Sequence, residues 1–238
     1  MATAIGSAAN YHHWVFTAIR RYIKTGATVL EVGAGHGGFT RLLSHLSAKV
    51  IATDIDPEMI LNINAAIQEQ HNVTAVEMDG IEPEKFQDSI DTVVAINIIE
   101  HIRDQQSFLK SCFSVLNAGG RLIVFAPAFP VLFSNIDSEA GHFRRYTKKN
   151  LAVLLTSAGF EICTARYFNF AGFWGWLFNK YFKSGVDSPA TNLQVRLFDT
   201  CVWLFKCLDI FSFCCGQSVI VVGEKPGGIS KEKNKCAV

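Results

Sequence analysis

The stretch TVLEVGAGHGG, Thr28 to Gly38, decides the fold. An apolar run containing one acid, Glu31, feeds directly into a glycine-rich turn. Glycine tolerates positive φ and carries no Cβ, so a turn of this kind lets bare backbone approach a nucleoside ligand. Gly33, Gly35 and Gly38 satisfy G-x-G-x-x-G, a spacing shared with dinucleotide sites. Glu31 narrows the choice. A carboxylate two residues before the first glycine repels a pyrophosphate and attracts an amino group.

Outward from this turn, further apolar runs at 49–53, 73–78, 92–96 and 121–126 read as strands. Helical patterns lie between them. Asp56-Pro57 supplies an N-cap and a first-turn proline for a helix running to about residue 70. Asp104 caps a helix with Phe108, Cys112, Val115 and Leu116 on one face, and Asn117 through Gly120 ends it. Thr147 caps another, with Leu151, Leu154, Leu155 and Ala158 inward. Residues 11–24 read as a helix ahead of the sheet. Strand-helix alternation at this spacing predicts an α/β, doubly wound, mostly parallel sheet covered on both faces. The last strands fall at 160–167 and 217–223. Between them, residues 168–216 form an aromatic-rich helical insertion. Its second half places Leu193, Leu197, Cys201, Leu204, Leu208 and Phe211 on one side, and Arg196, Asp199, Lys206 and Asp209 on the other. Residues 1–224 are expected to form one domain, and 225–238 a disordered tail.

Ligands of such a sheet bind at the carboxyl ends of the strands, near the point where strand order reverses. Polar residues fall there four times in succession: Glu31, Asp54, Asp79 and Asn97. With the glycine turn and the pieces ATDIDPEM, NIIEHIRD and LNAGGRLIVFAP, residues 26–165 resemble the class I S-adenosylmethionine-dependent methyltransferases. The resemblance implies a Rossmann-like seven-stranded sheet whose last strand runs antiparallel. It also implies S-adenosyl-L-methionine as cofactor. Glu31, Gly33, Gly35 and Gly37 would hold its methionyl part, Asp54 the ribose, and Asp79 the adenine edge, with Ile55, Gly80 and Asn97 beside them. A nicotinamide-dependent oxidoreductase shares the glycines and Asp54, but predicts an apolar residue at Glu31. A non-catalytic scaffold of the same fold is the other alternative.

Methyl transfer to a hydroxyl needs the acceptor's proton removed, and histidine suits that task. His142, in GHFRRYT on the loop after the fifth strand, is the first candidate, followed by His101 in IIEHI. His36 lies inside the cofactor turn, and His12 and His13 in the N-terminal helix. Tyr146 is placed to orient an acceptor, and Arg144 and Arg145 to hold a carboxylate or phosphate. The competing reading has these residues tie the loop to Asp137 and Glu139. Tyr11, Trp14 and Trp174 are candidates for covering the substrate. GHFRRYT and NFAGFWGWLFNK resemble a bacterial-type subgroup, some of whose members are encoded beside or fused to glycosyltransferases acting on lipid carriers. This favours a small or amphiphilic acceptor, with O-methylation ahead of N or C.

A net charge of +1 gives no electrostatic reason to expect nucleic acid as substrate. The seven cysteines form no C-x-x-C and no repeated metal spacing, which reads as reduced thiols in a cytoplasmic setting with no metal centre. The opening MATAIGSAAN lacks the pattern of a secretory leader, and KCAV has its cysteine one position too late for prenylation. No charge-free run is long enough for a transmembrane helix. Peripheral membrane contact through the aromatic insertion is compatible with all of this.

Overall fold

A computed structural model describes residues 8–67, 70–80, 82, 86, 90–182 and 197–227. Its strands are β1 (Thr28–Val32), β2 (Lys49–Asp54), β3 (Val73–Glu77), β4 (Ile90–Ile96), β5 (Leu116–Pro127), β6 (Glu161–Phe168) and β7 (Ser218–Glu224). They form one sheet in the order β3-β2-β1-β4-β5-β7-β6. β1 to β5 pair in parallel, and β7 runs antiparallel between β5 and β6. Order reverses at β1, which lies between β2 and β4, so the ligand crevice of this topology opens there.

Alternation along the central strands sorts side chains onto two faces. Leu122, Val124, Val219 and Val221 join helices α4 (Gln105–Val115) and α6 (Lys148–Ser157) on one side. Ile123, Phe125, Ile220 and Val222 join α1 (Ala9–Ile19) and α2 (Gly38–Ser44) on the other. Each fully enclosed Leu, Ile, Val or Phe adds about 1.5–3 kcal/mol, so these two layers dominate the driving force. Helix α3 (Pro57–Ala66) covers the β2 edge through Ile63. The short α5 (Asn135–Glu139) lies in the loop after β5.

The expected caps form. The Asp56 and Asp104 side chains accept from Glu58 N and Ser107 N, and Thr147 makes a reciprocal capping box with Asn150. Boundaries moved in two places. The helix after Pro57 stops at Ala66, and Leu116–Gly120 is strand, not helix exit. There β5 pairs with β4 across a register shift, and Gly120 packs so close to Asn117 O that a Cβ would come within 2.8 Å.

The insertion carries α7 (Phe170–Phe182) and α8 (Val202–Leu208). Its neck is narrow. Phe168 pairs with Ser218, Gln217 N donates to Asn169 O, and the Asn169 and Gln217 side chains bond each other. The second helical arm is rotated from the expected phase. Phe198, Val202 and Phe205 pack inward, whereas Leu197, Leu204, Leu208 and Phe211 are exposed. Leu193 and Arg196 lie outside the described residues. The phase is set by stacking of Phe198 on Phe205 and Tyr11 and by two aspartates. Asp199 accepts from Tyr11 N and Asn10 Nδ2 at the start of α1, and Asp209 accepts from Asn169 N and Phe170 N at the start of α7.

Candidate active site

Cofactor side. Glu31 is buried near the end of β1, and its carboxylate accepts from the Thr40 hydroxyl at 2.6 Å. Burial pushes its pKa up to about 8; the Thr40 bond opposes this, and the Asp54 charge adds to it. Asp54 ends β2, where its two oxygens accept from Gly35 N (2.8 Å) and Asp56 N (3.1 Å). The two carboxylates therefore converge on the glycine turn. Gly33, Gly35 and Gly37 all take positive φ. At Gly33 a Cβ would overlap the Ile98 side chain, and at Gly35 nothing lies within 4 Å. Open space above Gly35, flanked by two acids that repel each other, fits a cationic amino acid–nucleoside. Its positive charge would relieve that repulsion. Ile55, Asp79 and Asn97 are exposed at the ends of β2, β3 and β4, with Gly80 (φ 76°) and Asn97 (φ 53°) in the left-handed region.

From α1, the residue that reaches the turn is His12. Its ring lies 4.8 Å from that of Phe39 and would touch a Cβ at Gly38. Trp14 is buried against Phe168, and the half-buried Tyr11 packs on Trp14, Phe168 and Phe198. His36 is exposed.

Acceptor side. The loop after β5 returns to the sheet through a bridge between Ala128 and Tyr146. Within it, Asp137 Oδ1 accepts from a His142 ring nitrogen (Nδ1, 3.0 Å) and from Arg145 Nε (2.8 Å), while Oδ2 accepts from Ser134. Burial alone would raise the Asp137 pKa, but these bonds hold it below the usual range. An ionised carboxylate only accepts, so the His142 Nδ1 proton points at Asp137 and Nε2 lies on the opposite edge of the ring. That Nε2 lies 3.9 Å from Glu100 Oε1, and the His101 ring stands edge-on to His142 at 4.8 Å. Glu100 is fully enclosed, and burial pushes it up to about 8.

Tyr146 is buried, with its hydroxyl bonded to Ile99 O and the Gln105 side chain. Arg144 reaches Gln105 Oε1 and, like Arg103, lies over the half-exposed Phe143 ring. Arg145 ties the loop to Asp137 and Ala128 O. Trp174 lies away on the exposed face of α7.

A family model described as a methyltransferase domain matches residues 10–165. The chain belongs to that family. A probable S-adenosylmethionine-dependent methyltransferase of Mycolicibacterium smegmatis is 30% identical over 143 residues, 58% of this chain and 53% of that protein. A ubiquinone biosynthesis O-methyltransferase of Xanthomonas euvesicatoria is 32% identical over 105 residues, 42% of each. The chain thus spans about half the length of the curated relatives it matches. A methyltransferase structure from Archaeoglobus fulgidus shares the fold, with a TM-score of 0.60 at 20% identity, covering 90% of this chain and 94% of that one. Membership removes the nicotinamide alternative, and S-adenosyl-L-methionine is the cofactor of this methyltransferase.

Two residues escaped the sequence reading. Asp137 appeared there only as a loop tether, yet it fixes the His142 tautomer. Its signal was the i to i+5 spacing from Asp137 to His142 inside one loop. Glu100 was visible in the Glu-His pair, but no sequence pattern announces that both its oxygens are enclosed.

Proposed function

We propose that the protein methylates a hydroxyl of a small or amphiphilic acceptor, with His142 as general base. The pairing that carries this reading is Asp137 with His142 at 3.0 Å, which turns Nε2 toward Glu100 in the turn after β4. S-adenosylmethionine supplies an electrophilic methyl. Glu31 and Asp54 hold the cationic nucleoside, and the chain then has two tasks: to aim the acceptor oxygen at the methyl and to remove its proton. When bound, the cofactor would give its methyl to the acceptor oxygen and keep the carbon–sulfur electron pair on sulfur, and His142 Nε2 would take the hydroxyl proton. Asp137 stabilises the imidazolium that results. His101 forms the next wall. Tyr146 acts through Gln105 and Ile99 as a positioning residue, and Arg144 is placed to pair an anionic substituent.

The O-methyltransferase relative supports oxygen as the acceptor atom. Support for an amphiphile comes from the insertion, where Trp174, Phe178, Trp203, Ile210 and Phe213 are all exposed. We assign this surface to peripheral contact with a lipid bilayer. Among the described residues no helix is long and apolar enough to cross a membrane. All six described cysteines are free thiols, which suits the reducing cytoplasm.

Two substitutions test the reading. His142→Ala is expected to lower kcat by about 10²–10⁴. Asp54→Ala is expected to weaken S-adenosylhomocysteine binding in calorimetry. Unchanged turnover ends the base assignment, and unchanged affinity ends the ribose assignment of Asp54.

A further inference from the structure

We propose that Glu100, His101 and His142 form a site for one divalent transition-metal cation of the zinc class. One ligand atom from each, two imidazole nitrogens and a carboxylate oxygen, all lie within 4.8 Å of one another. Ligands held at about 2.0–2.2 Å around a tetrahedral zinc are about 3.3 Å apart, so small side-chain rotations close the site. Two nitrogens and one oxygen leave a fourth position open, the donor count of a reactive rather than a purely structural zinc.

The surroundings are those of a prepared site. His142 has an acceptor, Asp137, on the ring edge away from Glu100, and the Gly141 backbone lies against the His101 ring. Such outer partners fix ring orientation and leave the other nitrogen as a donor to metal. Glu100 is enclosed, and neither carboxylate oxygen has a hydrogen-bond partner. A buried carboxylate in that state is costly, and a cation would satisfy it. The nearby guanidinium of Arg145 does not, because its bonds go to Asp137 and Ala128 O. Once a cation displaces the Glu100 proton, the cluster of Glu100, Asp137 and Arg145 carries one net negative charge to balance it. His101 is exposed, which supplies an entry path.

The expectation of no metal centre was drawn from cysteine spacing and did not test these histidines. The inference rests on the acceptor-site reading of the same residues, because the cation would occupy the His142 nitrogen that reading uses as base. Loading and general-base use of that nitrogen therefore exclude each other in any one molecule.

The test is a titration of the full chain with Co²⁺, followed by visible d–d absorption and competition with Zn²⁺. One low-coordinate band at one cation per chain is expected, weakened at least ten-fold by His101→Ala and by Glu100→Gln. His101→Ala alters an exposed side chain, and retained S-adenosylhomocysteine binding confirms that it folds. Absence of the band overturns the proposal. So does a band that survives both substitutions or is lost instead on His45→Ala or His71→Ala. The readout is spectroscopic, so its failure leaves the methyl-transfer reading standing.

Discussion

Glu31 is held in an enclosed position where its own charge is disfavoured, with Thr40 as its hydrogen-bond donor. Its pKa of about 8 compares with 4.5 for a free side chain. Between these values the folded chain keeps a proton that the unfolded chain has lost. The group's contribution to stability is therefore full below about 4.5 and is lost as pH rises through about 8. A cationic cofactor reverses the preference, because it needs the carboxylate ionised. At neutral pH, S-adenosylmethionine binding should release close to one proton, and affinity should rise with pH until about 8. Calorimetry in buffers of different ionisation enthalpy measures this, and Glu31→Gln should abolish the release. This carboxylate could be found in the sequence because strand, acid and glycine turn are contiguous. Asp137 and Glu100 could not be found so readily. Their importance comes from a loop folding back onto the turn after β4, an encounter that local pattern does not encode.

For the elements, sequence and structure agree wherever a cap or a buried strand sets the boundary. β4 and β7 are buried on both faces, so their runs are uninterrupted and readable. The insertion's second arm is different, because it carries apolar residues all round and two stripes compete. Leu197, Leu204, Leu208 and Phe211 make as regular a face as Phe198, Val202 and Phe205. The choice falls to Asp199 and Asp209, which cap helices in other parts of the chain. Neither Ala8, the N-cap of α1, nor any residue in the first turn of that helix supplies an acid. Removing a capping side chain costs about 1 kcal/mol, and about 2–4 °C in Tm for a domain of this size. Asp199→Ala and Asp209→Ala should each show such a loss in thermal melts. Asp199→Ala should also loosen α1, read as faster amide exchange at Tyr11.

At the scale of the molecule, the described residues present a polar edge at the glycine turn and the loop after β5, and a separate apolar surface on the insertion. Trp203 is 70% exposed, Ile210 72% and Phe213 72%. Lys148 reaches Phe213 O, setting a cation at the border of this surface. Anionic vesicles should therefore carry the protein upward in a flotation gradient. Replacing Trp203, Ile210 and Phe213 together by serine should leave it at the bottom while S-adenosylhomocysteine binding persists. The antiparallel β7 explains how one chain accommodates both surfaces. The excursion that starts after Phe168 returns to its immediate hydrogen-bonded neighbour, Ser218, so departure and arrival share one anchor point. Closing so tight a doorway costs nearly the same entropy whatever length of chain lies beyond it. The segment is thus a cassette: it can lengthen, shorten or be exchanged to suit a new acceptor while the sheet beneath keeps its register.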